Sequence, residues 1–182
     1  LILFASLAIF LLTGLLEHRM GRLLLGPDGN PGFWEGNIWS SECSQRLADP
    51  YSFSHLAHGL IFFFLLWAIA GRLNLGVRYL IALLAEVSWE LLENSPLIIN
   101  RYREATISLG YCGDSILNSL SDLLMMSFGF FLASRMPAWL SVILLLIMEA
   151  GCAIACHDNL TLNVIMLIHP VEAIKLWQMS GH

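Results

Sequence analysis

Charge is scarce in this sequence of 182 residues: Asp, Glu, Lys and Arg together make up 13%, against about 25% in soluble domains. With 57% of residues hydrophobic, that shortage excludes an ordinary water-soluble chain. Basic clusters are also missing, and the net charge is −5. No nucleic acid is expected as a partner, and a polybasic lipid-binding tail is excluded. The four cysteines, Cys43, Cys112, Cys152 and Cys156, form no CxxC pair, which argues against a zinc ribbon or a thioredoxin-like motif. Cys43 and Cys112 fall on loops expected on one side of a membrane, as a disulfide or as two unpaired thiols. HExxH, GxSxG, SxxK and a phosphate-cradling glycine loop are all absent, as are internal repeats and low-complexity tracts. An initiator methionine is lacking too, so the chain is expected to begin upstream of Leu1. No small-x-small cleavage site follows Leu1 to Leu16, so that run is expected to be a retained helix or anchor.

Long apolar runs are abundant. Five stand out: Leu1 to Leu16, Phe53 to Ala70, Val77 to Leu92, Ser115 to Ala133 and Ala138 to Ala155. At about 1.5 Å rise per residue each covers roughly 24–29 Å, near the thickness of a bilayer's hydrocarbon core. None alternates apolar and polar residues in segments of about ten, which excludes a strand barrel. The expected fold is all-α: a polytopic membrane helical bundle of about five transmembrane helices. Pro170 precedes Val171 to Met179, with Glu172, Lys175 and Gln178 on one face, and this reads as a short interfacial C-terminal helix. One membrane domain is expected over residues 1–182, with a long outer loop at about 17–52 and the polar helices at about 53–134.

Orientation follows from the short turns. Arg72 and Arg78 lie between the second and third runs, and Arg135 lies between the fourth and fifth. The positive-inside rule places both turns in the cytoplasm. The long first loop, the Asn94 to Gly113 segment and the tail after Cys156 then face outward, toward the periplasm if the membrane is a bacterial inner membrane. Gly26 to Ser41, rich in Gly, Pro, Asn and Trp, has turn chemistry without helical period and is expected to lie on the headgroups.

Inside the bundle three polar stripes start near that outer level. Glu86, Glu90 and Glu93 recur at i, i+4 and i+7 on the third run; Asp114, Asn118 and Asp122 recur at i, i+4 and i+8 on the fourth; His55 and His58 sit one turn apart on the second. A charge at the bilayer centre costs about 2.5–3.5 kcal/mol on insertion scales, so these groups must face protein or water. They form either a functional site or interhelical hydrogen-bond glue. In the functional reading His55 is a base or metal ligand, with Glu90 and Asp114 as acids or ligands and Asn118 beside them. Arg101, Arg103 and Asn94 would then bind substrate, the arginines through an anionic head group. Histidine with carboxylates can hold a divalent metal, although no recognised motif names one. Glu86 and Asp122, the deepest carboxyls, are expected to lie farthest from the arginines and to be held neutral as hydrogen-bond donors. Glu149 is expected to be a lone carboxyl, and His157, Asp158 and Asn159 only to solvate a helix end.

Asp49 to Gly59, Trp89 to Pro96 with Asn100 to Glu104, Gly113 to Asp122 and Asp158 to Asn163 closely resemble a family of bacterial inner-membrane proteins known only as a domain of unknown function. More remotely, the order of His55, Glu90, Asp114 and Asn118 resembles the VanZ-like membrane proteins. That resemblance implies a role in the cell envelope, with a lipid or lipid-linked molecule as ligand. Tyr51-Ser52 stands where those proteins usually carry an Asp-Lys pair. A competing expectation is a non-catalytic subunit packed against a larger membrane complex, its stripes buried at helix contacts.

Overall fold

The apolar runs fold as helices whose starts are set by polar caps. In a computed structural model of the chain, which describes residues 1–108 and 110–181, Asn74 accepts a hydrogen bond from the Val77 amide, Ser115 from the Asn118 amide and Asn159 from the Leu162 amide, each satisfying a free N–H at a helix start. The helices are α1 (Ile2–Arg19), α2 (Ser52–Ala70), α3 (Leu75–Glu93), α4 (Pro96–Ala105), α5 (Ile116–Ala133), α6 (Ala138–Cys156), α7 (Leu160–Ile168) and α8 (Glu172–Met179). The pairing Trp34–Ala48 is an isolated bridge. The fold is all-helical.

Four helices, α1, α2, α5 and α6, are long and apolar enough to cross a membrane, with mean hydropathies of 1.5, 1.8, 1.5 and 2.2. The protein is read accordingly as a multi-pass membrane protein. Expectation and structure differ in number at α3, which is as long as α2 but carries Arg78, Glu86, Glu90 and Glu93. It packs against α1, α2 and α5.

The tightest crossing joins α2 and α5. A Cβ on Gly59 would lie 2.1 Å from the Met126 carbonyl oxygen, and one on Gly129 would lie 2.1 Å from that of Leu56. The two backbones therefore touch, as small residues allow in membrane helix pairs. Leu60, Leu83, Leu123, Met126 and Phe130 are buried close to this crossing, and the Tyr79 hydroxyl is 2.9 Å from Ser127 Oγ.

Several boundaries differ from expectation. α1 extends to Arg19 instead of ending at Leu16, because Glu17 is completely buried within the bundle. The segment after α3 forms a helix, α4, with Pro96 in its first turn. α7 begins at Leu160, where Glu149 Oε1 and Oε2 accept the Leu160 and Thr161 amides at 3.1 and 3.0 Å; Glu149 is a cap and not a lone carboxyl. Asp158 is buried and accepts hydrogen bonds from Tyr51 (3.0 Å), Gln178 (2.8 Å) and Asn163 (3.3 Å). It ties α2, α7 and α8 together instead of solvating a helix end. All four cysteines are free.

The first loop is also less passive than expected. Its Leu23 and Leu24 carbonyls accept the Ile116 and Leu117 amides at 2.9 and 3.1 Å, and the Ser44 carbonyl accepts that of Ser115 at 3.0 Å. These are amides that α5 itself cannot satisfy. Part of the loop is thereby stitched over the start of α5, while Phe33 and Trp34 remain exposed.

Candidate functional site

The site begins where Asp49 fixes the entry of α2, its Oδ1 accepting the Tyr51 amide and its Oδ2 the Ser44 amide at 2.8 and 2.9 Å. His55 therefore sits one turn into α2 and His58 one turn deeper, on the same face. Both imidazoles turn to Glu86 of α3. His55 Nδ1 is 2.7 Å from Glu86 Oε1, and His58 Nδ1 is 3.0 and 3.1 Å from its two oxygens. Glu90 Oε1 lies 3.3 Å from His55 Nδ1 without meeting hydrogen-bond geometry, and Asp122 Oδ2 of α5 lies 3.8 Å from His55 Nε2. Glu86, Glu90 and Asp122 are 0%, 1% and 4% exposed, so none meets lipid. Glu86 is the carboxylate both imidazoles share.

Asp114 anchors an adjoining set. Its Oδ2 accepts Asn94 Nδ2 at 2.8 Å, its Oδ1 accepts the Tyr111 hydroxyl at 2.9 Å, and its own amide donates to Asn94 Oδ1 at 2.7 Å. Burial raises the Asp114 carboxyl above its ordinary value, and the bonds from Tyr111 and Asn94 oppose the rise. Asn118 donates to the Arg46 carbonyl at 2.9 Å, stitching the first loop to α5. Glu17 is buried beside Ser119, with neither carboxylate oxygen in hydrogen-bond geometry.

A cavity of about 250 Å³ opens onto these groups. His55, His58, Glu86, Glu93, Asp114 and Asp122 line it, as do Tyr51, Tyr102 and Tyr111. Phe62, Trp89, Leu160, Val164 and Leu167 supply an apolar wall, much of it from α7. Among the described residues no Lys or Arg lines it. Arg101 donates to the Leu167 carbonyl at 2.8 Å and holds the end of α7, while Arg103 donates to the Tyr111 carbonyl. Of the sequence-derived candidates, His55 and Glu90 thus come together. Asp114 and Asn94 pair with each other, and Asn118, Arg101 and Arg103 bond to backbone carbonyls.

Two sets within this array have metal-ligand spacing, one potential ligand atom of each residue lying within 4.8 Å of the others: His55, His58 and Glu86, and His55, Glu90 and Asp122. Asp122 was recognisable as part of a stripe, but spacing did not show which residue it would face. Glu17 gave no usable signal, because an acid followed by His18-Arg19 at the end of an apolar run reads as a helix boundary.

The family described as Protein of unknown function (DUF2585) matches residues 17–180. The chain belongs to this family. A UPF0314 protein of Rhizobium etli is 49% identical over 174 residues, covering 96% of this chain and 89% of the relative. Those of Paracoccus denitrificans and Sphingopyxis alaskensis are 47% and 48% identical, covering 96% and 98% of this chain and 90% and 95% of the relatives. No solved structure matches.

Proposed function

We propose that this protein is a bacterial inner-membrane protein that binds an amphipathic, lipid-like or lipid-linked molecule at the outer ends of its helices. The observation that carries the reading is the mixed lining of the cavity: imidazoles and carboxyls together with the apolar side chains of Phe62, Val164 and Leu167. A ligand with a hydrogen-bonding head and an apolar tail matches such a lining. With no Lys or Arg in the wall, the head group is an uncharged hydroxyl, amide or ester, or a cation, in preference to a bare anion. The array around His55 can move a proton or hold an ion next to that head. The envelope setting rests on the order of His55, Glu90, Asp114 and Asn118 that resembles VanZ-like proteins.

In this reading α3 is a fifth crossing, its acids shielded by α2 and α5, and the site faces the periplasm. The outward orientation rests on the arginines of the short turns. Asn37→Cys should react with an impermeant maleimide in intact cells and Leu73→Cys should not, both in a Cys112→Ser background; the reverse pattern would overturn the orientation. For the ligand, detergent-purified protein should retain about one amphiphile per chain on organic extraction and mass spectrometry. Val164→Trp and Leu167→Trp, which fill the apolar wall, should expel it. Equal retention by wild type and both variants would reject the pocket as its seat.

A further inference from the structure

We infer that His55, Glu90 and Asp122 form a binding site for one divalent transition-metal ion of the zinc type, with Glu86 as the positioning residue that orients His55. The inference concerns the same cavity but does not depend on an amphiphile filling it.

Hydrogen-bonding capacity is left unmet beside His55. Glu90 Oε1 and Asp122 Oδ1 are buried and have no hydrogen-bond partner, on residues 1% and 4% exposed. Such groups are rare in folded proteins and call for an occupant. The two carboxyls approach one imidazole from two helices, Glu90 Oε1 at 3.3 Å from Nδ1 and Asp122 Oδ2 at 3.8 Å from Nε2, and the three residues each place a ligand atom within 4.8 Å of the others. His55 Nε2 and Asp122 Oδ2, 3.8 Å apart, are too far for a hydrogen bond yet close enough to share an ion whose bonds to nitrogen and oxygen are about 2.0–2.2 Å.

Glu86 decides between the two sets of metal-ligand spacing. Its Oε1 already receives both histidines, His55 Nδ1 at 2.7 Å and His58 Nδ1 at 3.0 Å. A carboxylate accepting the Nδ1 proton of His55 leaves the Nε2 lone pair free and fixes the ring, as carboxylates behind metal-bound histidines do. Nε2 is the nitrogen that faces Asp122. His58 by contrast presents Nδ1 to the same carboxylate and stacks against Phe62 with ring centroids 5.8 Å apart, so it belongs to the supporting layer. One imidazole and two carboxylates form a mixed nitrogen and oxygen donor set, which suits zinc, manganese or iron better than a thiolate-seeking ion. A divalent charge would also balance Glu90 and Asp122. Since His55 and Asp122 both line the cavity, a bound ion would be open to a carbonyl or hydroxyl of a ligand there.

The test uses the full chain in detergent, carrying a purification tag without histidine, stripped with chelator and then given zinc. After desalting, elemental analysis should find about one zinc per chain in wild type. His55→Ala, Glu90→Gln and Asp122→Asn should each lower retention at least tenfold while eluting as wild type does on gel filtration. Glu86→Gln should keep one site at saturation but weaken cobalt binding about 10- to 100-fold, with a shifted visible absorption band; a purely structural role would leave the band unchanged. His58→Ala should retain its zinc. Wild type holding less than a tenth of an equivalent, or Glu90→Gln and Asp122→Asn holding as much as wild type, would overturn the inference. If His55→Ala fails to fold, the two isosteric variants decide alone. Zinc bound without any retained amphiphile would uphold this site and reject the lipid reading, and the converse result would do the opposite.

Discussion

α5 and α6 have nearly the same length and opposite fates. α6 is the more apolar, with mean hydropathy 2.2 against 1.5, yet 6% of its spanning window is buried against 56% for α5. α5 holds Asn118, Ser119, Asp122, Ser127 and Gly129, all buried, whereas α6 turns Val142, Leu146, Ile147 and Ile154 outward. In water this would be an inverted protein. In a bilayer the solvent is as apolar as leucine, so hydrophobicity no longer drives side chains inward and close packing with polar contacts takes its place. Depth in this bundle is therefore read from small and polar residues, and outward faces from the richest apolar runs.

The most damaging test of that contrast is Gly59→Leu or Gly129→Leu. The added carbon meets a backbone carbonyl, which no side-chain rotation relieves, so each should cost at least about 3 kcal/mol and prevent assembly in detergent melts. A variant melting like wild type would mean the α2–α5 contact is not what organises the bundle. Next in size is Asp158→Ala, which strands donors on Tyr51, Gln178 and Asn163 and should cost about 1–3 kcal/mol. The same carboxyl predicts a pH effect, since burial pushes it up to about 6 from 3.8. A raised carboxyl means the native state holds more protons than the unfolded state, so its contribution is fullest below 3.8, declines as pH rises through 6 and is flat above. In melts, wild type should lose stability relative to Asp158→Asn as pH rises from about 4 to 7; parallel curves would reject that role. Glu149→Leu should loosen the start of α7 by about 1 kcal/mol, seen as faster amide exchange at Leu160 and Thr161. Smallest of all, Leu146→Ala and Ile147→Ala on α6 should change stability by less than about 0.5 kcal/mol. A large loss there, or loss of co-purifying proteins, would instead support the larger complex weighed from the sequence.

How far the sequence disclosed this structure depends on the residue. The all-helical fold was legible, and of the five expected runs α1, α2, α5 and α6 are long and apolar enough to cross a membrane, because apolar run length is a one-dimensional property. The stripes of Glu86 and Glu90, of Asp122, and of His55 and His58 were legible from helical spacing. Their pairing was not, because spacing fixes a face but not the rotation of one helix against another. Asp114 looked like a partner of His55; it lines the same cavity and accepts hydrogen bonds from Asn94 and Tyr111, which the spacing did not indicate. Arg101 looked like an anion binder and holds a carbonyl of α7. α4 and the full length of α7 were too short for periodicity to separate from a loop.

The stitching of the first loop onto α5 bears on biosynthesis. Leu23 and Leu24 must find Ile116 and Leu117, which leave the ribosome more than ninety residues later. Until then the polar end of the nascent bundle has no lid, and the opening amides of α5 have no acceptors from the chain. That end should accordingly mature late, and a nascent chain halted before α5 should expose the Leu23 to Arg46 stretch to protease.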